Sequence, residues 1–152
     1  DFDNTFGVWC KNNNSTYTRY CDDRTFSGDF APSPVISFVK SELRKLGLYL
    51  NSKKTVIVRK GQRHSVTGII VNESLHVPNE YKRKIRQEMY YCMKYGIVSH
   101  LCNSRSDIST EEFKSSMLGR VNYVLSVEPN NKDMLMYKQW FQNYKDDSGL
   151  IK

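Results

Sequence analysis

The stretch TYTRYCDDRTFSG, residues 16–28, decides how the chain is read. Two short runs rich in aromatic and β-branched residues, YTRY (17–20) and RTFSG (24–28), flank Cys21, Asp22 and Asp23. Such runs around a polar turn predict a β-hairpin. Adjacent carboxylates repel unless water screens them or a cation lies between them. In a tight hairpin both can aim near one point. Mg²⁺ takes hard oxygen ligands, usually one or two carboxylates together with substrate phosphates. Paired metals stabilise the attacking and leaving oxygens of phosphoryl transfer. Asp22 and Asp23 are therefore candidate metal ligands at a hairpin tip. A plain turn stays open as a reading, because Asp is common in turns and Y-x-D-D alone is a short motif.

The chain has 152 residues, 39% of them hydrophobic, and a mean hydropathy of −0.62. That is enough for one ordinary domain or two small ones with a core, and it reads as soluble and globular. No apolar run approaches the ~18 residues of a spanning helix. The chain opens on DFDNTFG, with neither Met nor a basic-then-apolar leader, and reads as a fragment of a longer protein. Four cysteines, at 10, 21, 92 and 102, have no C-x-x-C spacing, and His64, His76 and His100 are scattered. Zinc needs about four closely spaced ligands, and Cys92, His100 and Cys102 come nearest to that. Reduced thiols in a cytosolic protein are the simpler reading.

The net charge of +7 is concentrated. Lys40, Arg44, Lys45, Lys53, Lys54, Arg59, Lys60 and Arg63 face only Glu42 between residues 40 and 63, and the remainder of the chain is neutral. A basic stripe of this kind suits a polyanion, because neutralised phosphates release counterions.

The first half reads as mixed α and β. Ser33 and Pro34 look like the cap and first residue of a helix. Val35, Val39, Leu43 and Leu46 recur at helical spacing up to Gly47. TVIVRK (55–60) and HSVTGIIVN (64–72) predict two strands about Gly61, with LHV (75–77) as a third short run. The second half reads as helical. One helix opens at Pro78, carries Tyr81, Ile85, Met89 and Cys92, and ends at Gly96. A polar loop, SHLCNSRSD, follows. A capping box, Ser109 with Glu112, then starts a helix with Phe113, Met117, Val121 and Val124 on one face. A last helix carries Met134, Tyr137, Phe141 and Tyr144. These stripes are most simply core.

Taken in order, these pieces resemble the bacterial retron-type reverse transcriptases over residues 2–142. YTRYCDDRTFSG resembles their Y-x-D-D catalytic hairpin. LGLYLNSKKTVIV resembles the polymerase motif that ends in N-x-x-K-T. HSVTGIIVN resembles the primer-grip region and contains the V-T-G tripeptide of retron enzymes. VPNEYKRKIRQEMYYCMKYG and MLGRVNYVLSVEPNN resemble their thumb helices. The resemblance implies an α+β fold: the C-terminal part of a polymerase palm, antiparallel strands with one helix (residues 1–77), followed by a three-helix thumb (78–152).

It also implies roles for residues. Asp22 and Asp23 would be catalytic and would hold Mg²⁺, with Mn²⁺ as an alternative. Tyr20 and Cys21 would lie near the primer end and the incoming nucleotide. Lys54 would protonate the pyrophosphate leaving group, a role that suits lysine. Val66, Thr67 and Gly68 would recognise the cognate structured RNA. Arg59, Lys60 and Arg63, with Lys82, Arg83, Lys84 and Arg86 on the thumb, would hold nucleic-acid backbone. The implied activity is RNA-directed DNA synthesis by two-metal phosphoryl transfer from dNTPs onto a primer hydroxyl. The implied partners are a structured RNA template and primer and an RNA–DNA hybrid, in the bacterial cytoplasm, with no membrane. An effector protein in antiviral defence is a further implied partner, whose identity the sequence does not give. Cys21 stands where this group usually has Ala, and Arg24 where it usually has an apolar residue. Arg24 could pair with the carboxylates when metal is absent. A third catalytic Asp is missing, since Asp1 and Asp3 lack an apolar strand context, and the chain alone is expected to be inactive. Two other readings stay open: a non-catalytic nucleic-acid-binding module, and a group II intron-type or other phage-defence reverse transcriptase.

Overall fold

The computed structural model describes residues 2–104 and 107–144. Asp1, residues 105–106 and residues 145–152 of the expected thumb lie outside the described residues. The chain divides into two compact units, Asp1–Thr67 and Gly68–Lys152. Among the described residues it is α+β, with six helices and two small antiparallel sheets.

The first unit begins with a helix that the sequence reading does not foresee, α1 (Phe2–Asn12). Phe2, Phe6, Trp9 and Cys10 fall on one face at helical spacing. The strands β1 (Ser15–Tyr20) and β2 (Asp23–Gly28) then pair antiparallel, from Ser15 opposite Gly28 to Tyr20 opposite Asp23. Tyr17 and Phe26 are direct partners in this register and both pack on Phe6, which is wholly buried. Gly28 has no substitute here: its φ is +147°, and a Cβ would meet the Asn14 carbonyl oxygen at 2.9 Å.

Helix α2 (Pro32–Lys45) completes this core with Val35, Val39 and Leu43. Each such side chain, fully buried, contributes about 1.5–3 kcal/mol. The helix starts earlier than the expected Ser33 cap. Ala31 is the cap and Pro32 takes the first helical position, where a residue without an N–H loses nothing. Its end follows the Schellman pattern: the Gly47 N–H donates to the Arg44 carbonyl and the Leu48 N–H to that of Leu43, with Gly47 at φ +70°. Leu46 lies beyond the helix, so it leaves the apolar stripe and is 57% exposed.

The strand expected over residues 55–60 does not form, and Val56, Ile57 and Val58 are exposed. A strand needs a neighbour to satisfy its ladder groups, and none pairs with this run among the described residues. Of the second expected strand only β3 (Ser65–Val66) and β4 (Ile69–Ile70) remain. The LHV run reduces to one bridge, between Ile70 and His76.

Among the described residues the second unit is built on four helices rather than the expected three: α3 (Asn79–Tyr95), α4 (Ile97–Asn103), α5 (Thr110–Val127) and α6 (Lys132–Asn143). Helix α4 replaces much of the expected polar loop because Ile97 and Leu101, one turn apart, both bury. The anticipated stripes form one core: Ile85, Met89 and Cys92 against Phe113, Met117, Val121 and Val124, closed by Met134, Tyr137 and Phe141. The capping box of α5 is present, with the Glu112 N–H donating to Ser109 Oγ at 3.2 Å and the Ser109 N–H to Glu112 Oε2 at 2.9 Å. Glu128, just past α5, gathers donors from three segments. Lys82 Nζ (2.7 Å), the Val77 N–H (2.9 Å) and Asn131 Nδ2 (2.7 Å) all bond its carboxylate.

Candidate catalytic hairpin and nucleic-acid interface

Cys21 and Asp22 form the two-residue loop of the β1–β2 hairpin, and Asp23 is the first residue of β2. Both carboxylates and the Tyr20 side chain are exposed at the tip. Cys21 has φ +51°. A positive φ at the first loop residue matches the right-handed twist of the strands, at a cost of roughly 1–2 kcal/mol for a residue with a Cβ. The two loop carbonyls are each held by an arginine. Arg19 Nη1 donates to the Cys21 oxygen at 3.1 Å, and Arg24 Nη1 to the Asp22 oxygen at 3.2 Å.

Arg24 thus binds the Asp22 main chain rather than its carboxylate, and its guanidinium sits 5.0 Å over the Phe2 ring. Both arginines are anchored on α1, because Arg19 Nη2 also donates to Asp3 Oδ2 at 2.8 Å. Tyr17 Oη donates to the other oxygen of Asp3 at 2.9 Å. The hydrogen bond from Arg19, then that from Tyr17, holds the Asp3 carboxyl below its usual range.

Asp22 and Asp23 offer the oxygen donors that a hard divalent cation takes. Among the described residues no group of three or more His, Cys, Asp or Glu side chains is placed to hold a metal ion. By themselves Asp22 and Asp23 do not make up such a group. Asp3 does not complete it: it lies on a helix and is engaged by Tyr17 and Arg19. Cys92, His100 and Cys102 are not grouped as metal ligands among the described residues. Burial, with a smaller contribution from Glu88, pushes the Cys92 thiol up to about 12, and His100 is bonded to Glu88 at 2.6 Å.

Lys54 is exposed on a separate turn of the same unit. Asn51 builds that turn. Its carbonyl accepts the N–H groups of Lys54 and Thr55 (both 3.1 Å) and the Thr55 hydroxyl (2.9 Å), and its side chain accepts the Lys53 N–H (3.0 Å). The Asn and Thr of N-x-x-K-T are thus turn-formers that display the lysine. A second turn is closed between Arg59 and Gln62, whose N–H donates to the Arg59 carbonyl at 3.0 Å while the Arg59 N–H donates to Gln62 Oε1 at 2.7 Å. It leaves Arg59, Lys60 and Arg63 exposed.

In the V-T-G tripeptide, Thr67 has φ +48° and Gly68 +85°. Two successive positive values mark a type I′ turn. Gly suits it, whereas a β-branched Thr is an outlier there.

The cations of α3 divide. Arg83 and Lys84 are exposed on α3. Lys82 is turned inward and buried against Glu128, and Arg86 is paired with Asp133 at 2.7 Å. Residues 82 and 86 lie one turn apart on α3, and their pairing with Glu128 and Asp133 sets them apart from 83 and 84. Further along, Tyr90, Lys94 and Tyr95 cluster on the solvent side. Lys94 Nζ lies 5.5 and 5.1 Å from the two ring centroids, and the hydrogen bonds it donates to Tyr95 and then Tyr90 raise its pKa. In the sequence these residues show only as part of a helix. Their signal is YY-x-x-KY on the face opposite Ile85 and Met89.

No protein-family model matches the chain. Several curated proteins do match in sequence. The retron Mx65 reverse transcriptase of Myxococcus xanthus is 30% identical over 122 residues, covering 79% of this chain and 26% of that protein. The retron Mx162 reverse transcriptase of the same organism is 32% identical over 93 residues (49% and 19%). The retron Ec86 reverse transcriptase of Escherichia coli is 32% identical over 104 residues (65% and 32%). The chain spans between 19% and 32% of the length of these relatives. In sequence the chain is similar to these retron reverse transcriptases, at about 30% identity, over a part of each.

Proposed function

We propose that this chain supplies the catalytic hairpin of the palm and the helical thumb of a retron-type RNA-directed DNA polymerase. The observation that carries the reading is the hairpin tip: Asp22, in the two-residue loop, and Asp23, the first residue of β2, are adjacent and exposed, in a chain similar to retron reverse transcriptases. A divalent cation bound at such carboxylates, Mg²⁺ or Mn²⁺, supplies charge stabilisation to the reacting phosphate. Asp22 and Asp23 would hold it. A primer hydroxyl attacks the α-phosphate of a dNTP; the new P–O bond forms as the α–β bridging P–O bond breaks and pyrophosphate leaves. Lys54 gives its proton to the leaving oxygen. Tyr20 and Cys21 border the primer end and the incoming nucleotide.

Arg59, Lys60, Arg63, Arg83 and Lys84 contact the backbone of the RNA template and of the RNA–DNA hybrid, which is read by shape and phosphates. Lys82 and Arg86 support the thumb instead. The Val66-Thr67-Gly68 turn contacts the cognate structured RNA. The polymerase works in the bacterial cytoplasm, in antiviral defence. The 152-residue chain, holding two of the required carboxylates, does not polymerise by itself.

The test is primer extension on an RNA template with labelled dNTPs and Mg²⁺. The enzyme encoded by the complete gene extends the primer and the 152-residue chain does not. A complete gene product that makes no DNA on any RNA template refutes the reading.

A further inference from the structure

We propose that Asp3 is a positioning residue for the carboxylate pair: acting through Arg19, it clamps the Cys21–Asp22 turn in the conformation that presents Asp22 and Asp23. The turn holds a non-glycine residue at positive φ (Cys21, +51°), a conformation that persists only when its surroundings enforce it. What enforces it is visible. Asp3, on α1, accepts Tyr17 Oη at 2.9 Å and Arg19 Nη2 at 2.8 Å. The second nitrogen of the same guanidinium reaches the Cys21 carbonyl at 3.1 Å. Arg24 holds the Asp22 carbonyl at 3.2 Å and rests over Phe2, also on α1.

Arg19 and Arg24 are direct cross-strand partners, and like charges placed opposite are ordinarily destabilising. The two turn carbonyls, the Asp3 carboxylate and the Phe2 ring engage both cations, while Arg24 Nε is buried without a hydrogen-bond partner among the described residues. Bridging an acid and a carbonyl at once calls for the guanidinium fork, which a lysine ammonium lacks. The proposal rests on reading the hairpin as catalytic.

Its test uses the full-length enzyme carrying Asp3→Ala, Asp3→Glu or Arg19→Lys. The rate of dNTP incorporation should fall about 10- to 100-fold in Asp3→Ala and Arg19→Lys, the scale on which small misplacements act. Asp3→Glu should recover part of it. Amide exchange across residues 20–24 should accelerate in the first two variants, with template binding unchanged. Wild-type rate and wild-type exchange in both Asp3→Ala and Arg19→Lys overturn the clamp. Arg19→Lys keeps the charge and so stays informative if Asp3→Ala does not fold. Asp22→Asn is assayed beside them: full activity there defeats the catalytic reading, while the exchange of residues 20–24 still decides the clamp.

Discussion

Replacing Glu128 by Gln should loosen the helical unit more than any surface charge change. The Lys82 side chain is 9% exposed and that of Glu128 13%. Glutamine keeps the shape but leaves the Lys82 ammonium without its counter-charge. Removing one partner of a buried pair costs about 3–5 kcal/mol. The residual exposure lets water screen part of this, so the expected loss is about 2–4 kcal/mol. For a unit of this size that lowers the melting temperature by on the order of 10 °C. Trp140 packs on the core of this unit, so its fluorescence reports the transition once Trp9 is changed to Phe.

Lys82→Met in the same background should cost less than Glu128→Gln, because Glu128 keeps the Val77 and Asn131 donors. The double variant should recover much of the loss. Acid behaves consistently. Burial raises the Glu128 carboxyl, but the hydrogen bonds from Lys82, Asn131 and Val77 outweigh it and hold the group below its ordinary 4.5. A group lowered in the fold stabilises fully above the unfolded value, and that contribution is lost as pH falls through the folded value. Glu128→Gln should therefore flatten the acid limb below pH 4.5. A loss under about 0.5 kcal/mol, as for an exposed pair, would refute the reasoning.

Other expectations follow from single observations. Arg59, Lys60 and Arg63 changed together to Ala should reduce the slope of log affinity for RNA against log salt by about 0.7–0.9 for each phosphate they neutralise, and filter binding across a salt series measures it. Ser109→Ala removes half of the α5 capping box and should cost about 1 kcal/mol in urea unfolding. Thr67→Gly relieves a β-branched residue at φ +48°. The roughly 1–2 kcal/mol relieved is set against about 0.5–1 kcal/mol of added chain entropy, so unfolding should show stability unchanged or slightly raised.

Much of the helical unit was legible because its stripes are long and regular. Ile85 to Cys92, Phe113 to Val124 and Met134 to Phe141 all bury as their spacing requires, and the Ser109–Glu112 box starts α5. The hairpin was legible from its flanking runs. Helix α1 was hidden because its apolar residues are mostly aromatic and share eleven positions with Asn, Thr and Gly. Residues 55–60 carry strand composition, but composition cannot supply a partner strand. The split between Lys82 and Arg86 on one side and Arg83 and Lys84 on the other needed the position of Glu128 and Asp133, 46 and 47 residues away. Asp22 and Asp23 were visible as residues. The arginines that hold their turn became meaningful only once Asp3 was placed beside them.

The central claim is that this hairpin carries the polymerase chemistry, and Asp22→Asn in the full-length enzyme tests it most directly. Primer extension on an RNA template, measured beside template binding, should fall to background while binding stays near wild type. Extension at the wild-type rate would contradict the account.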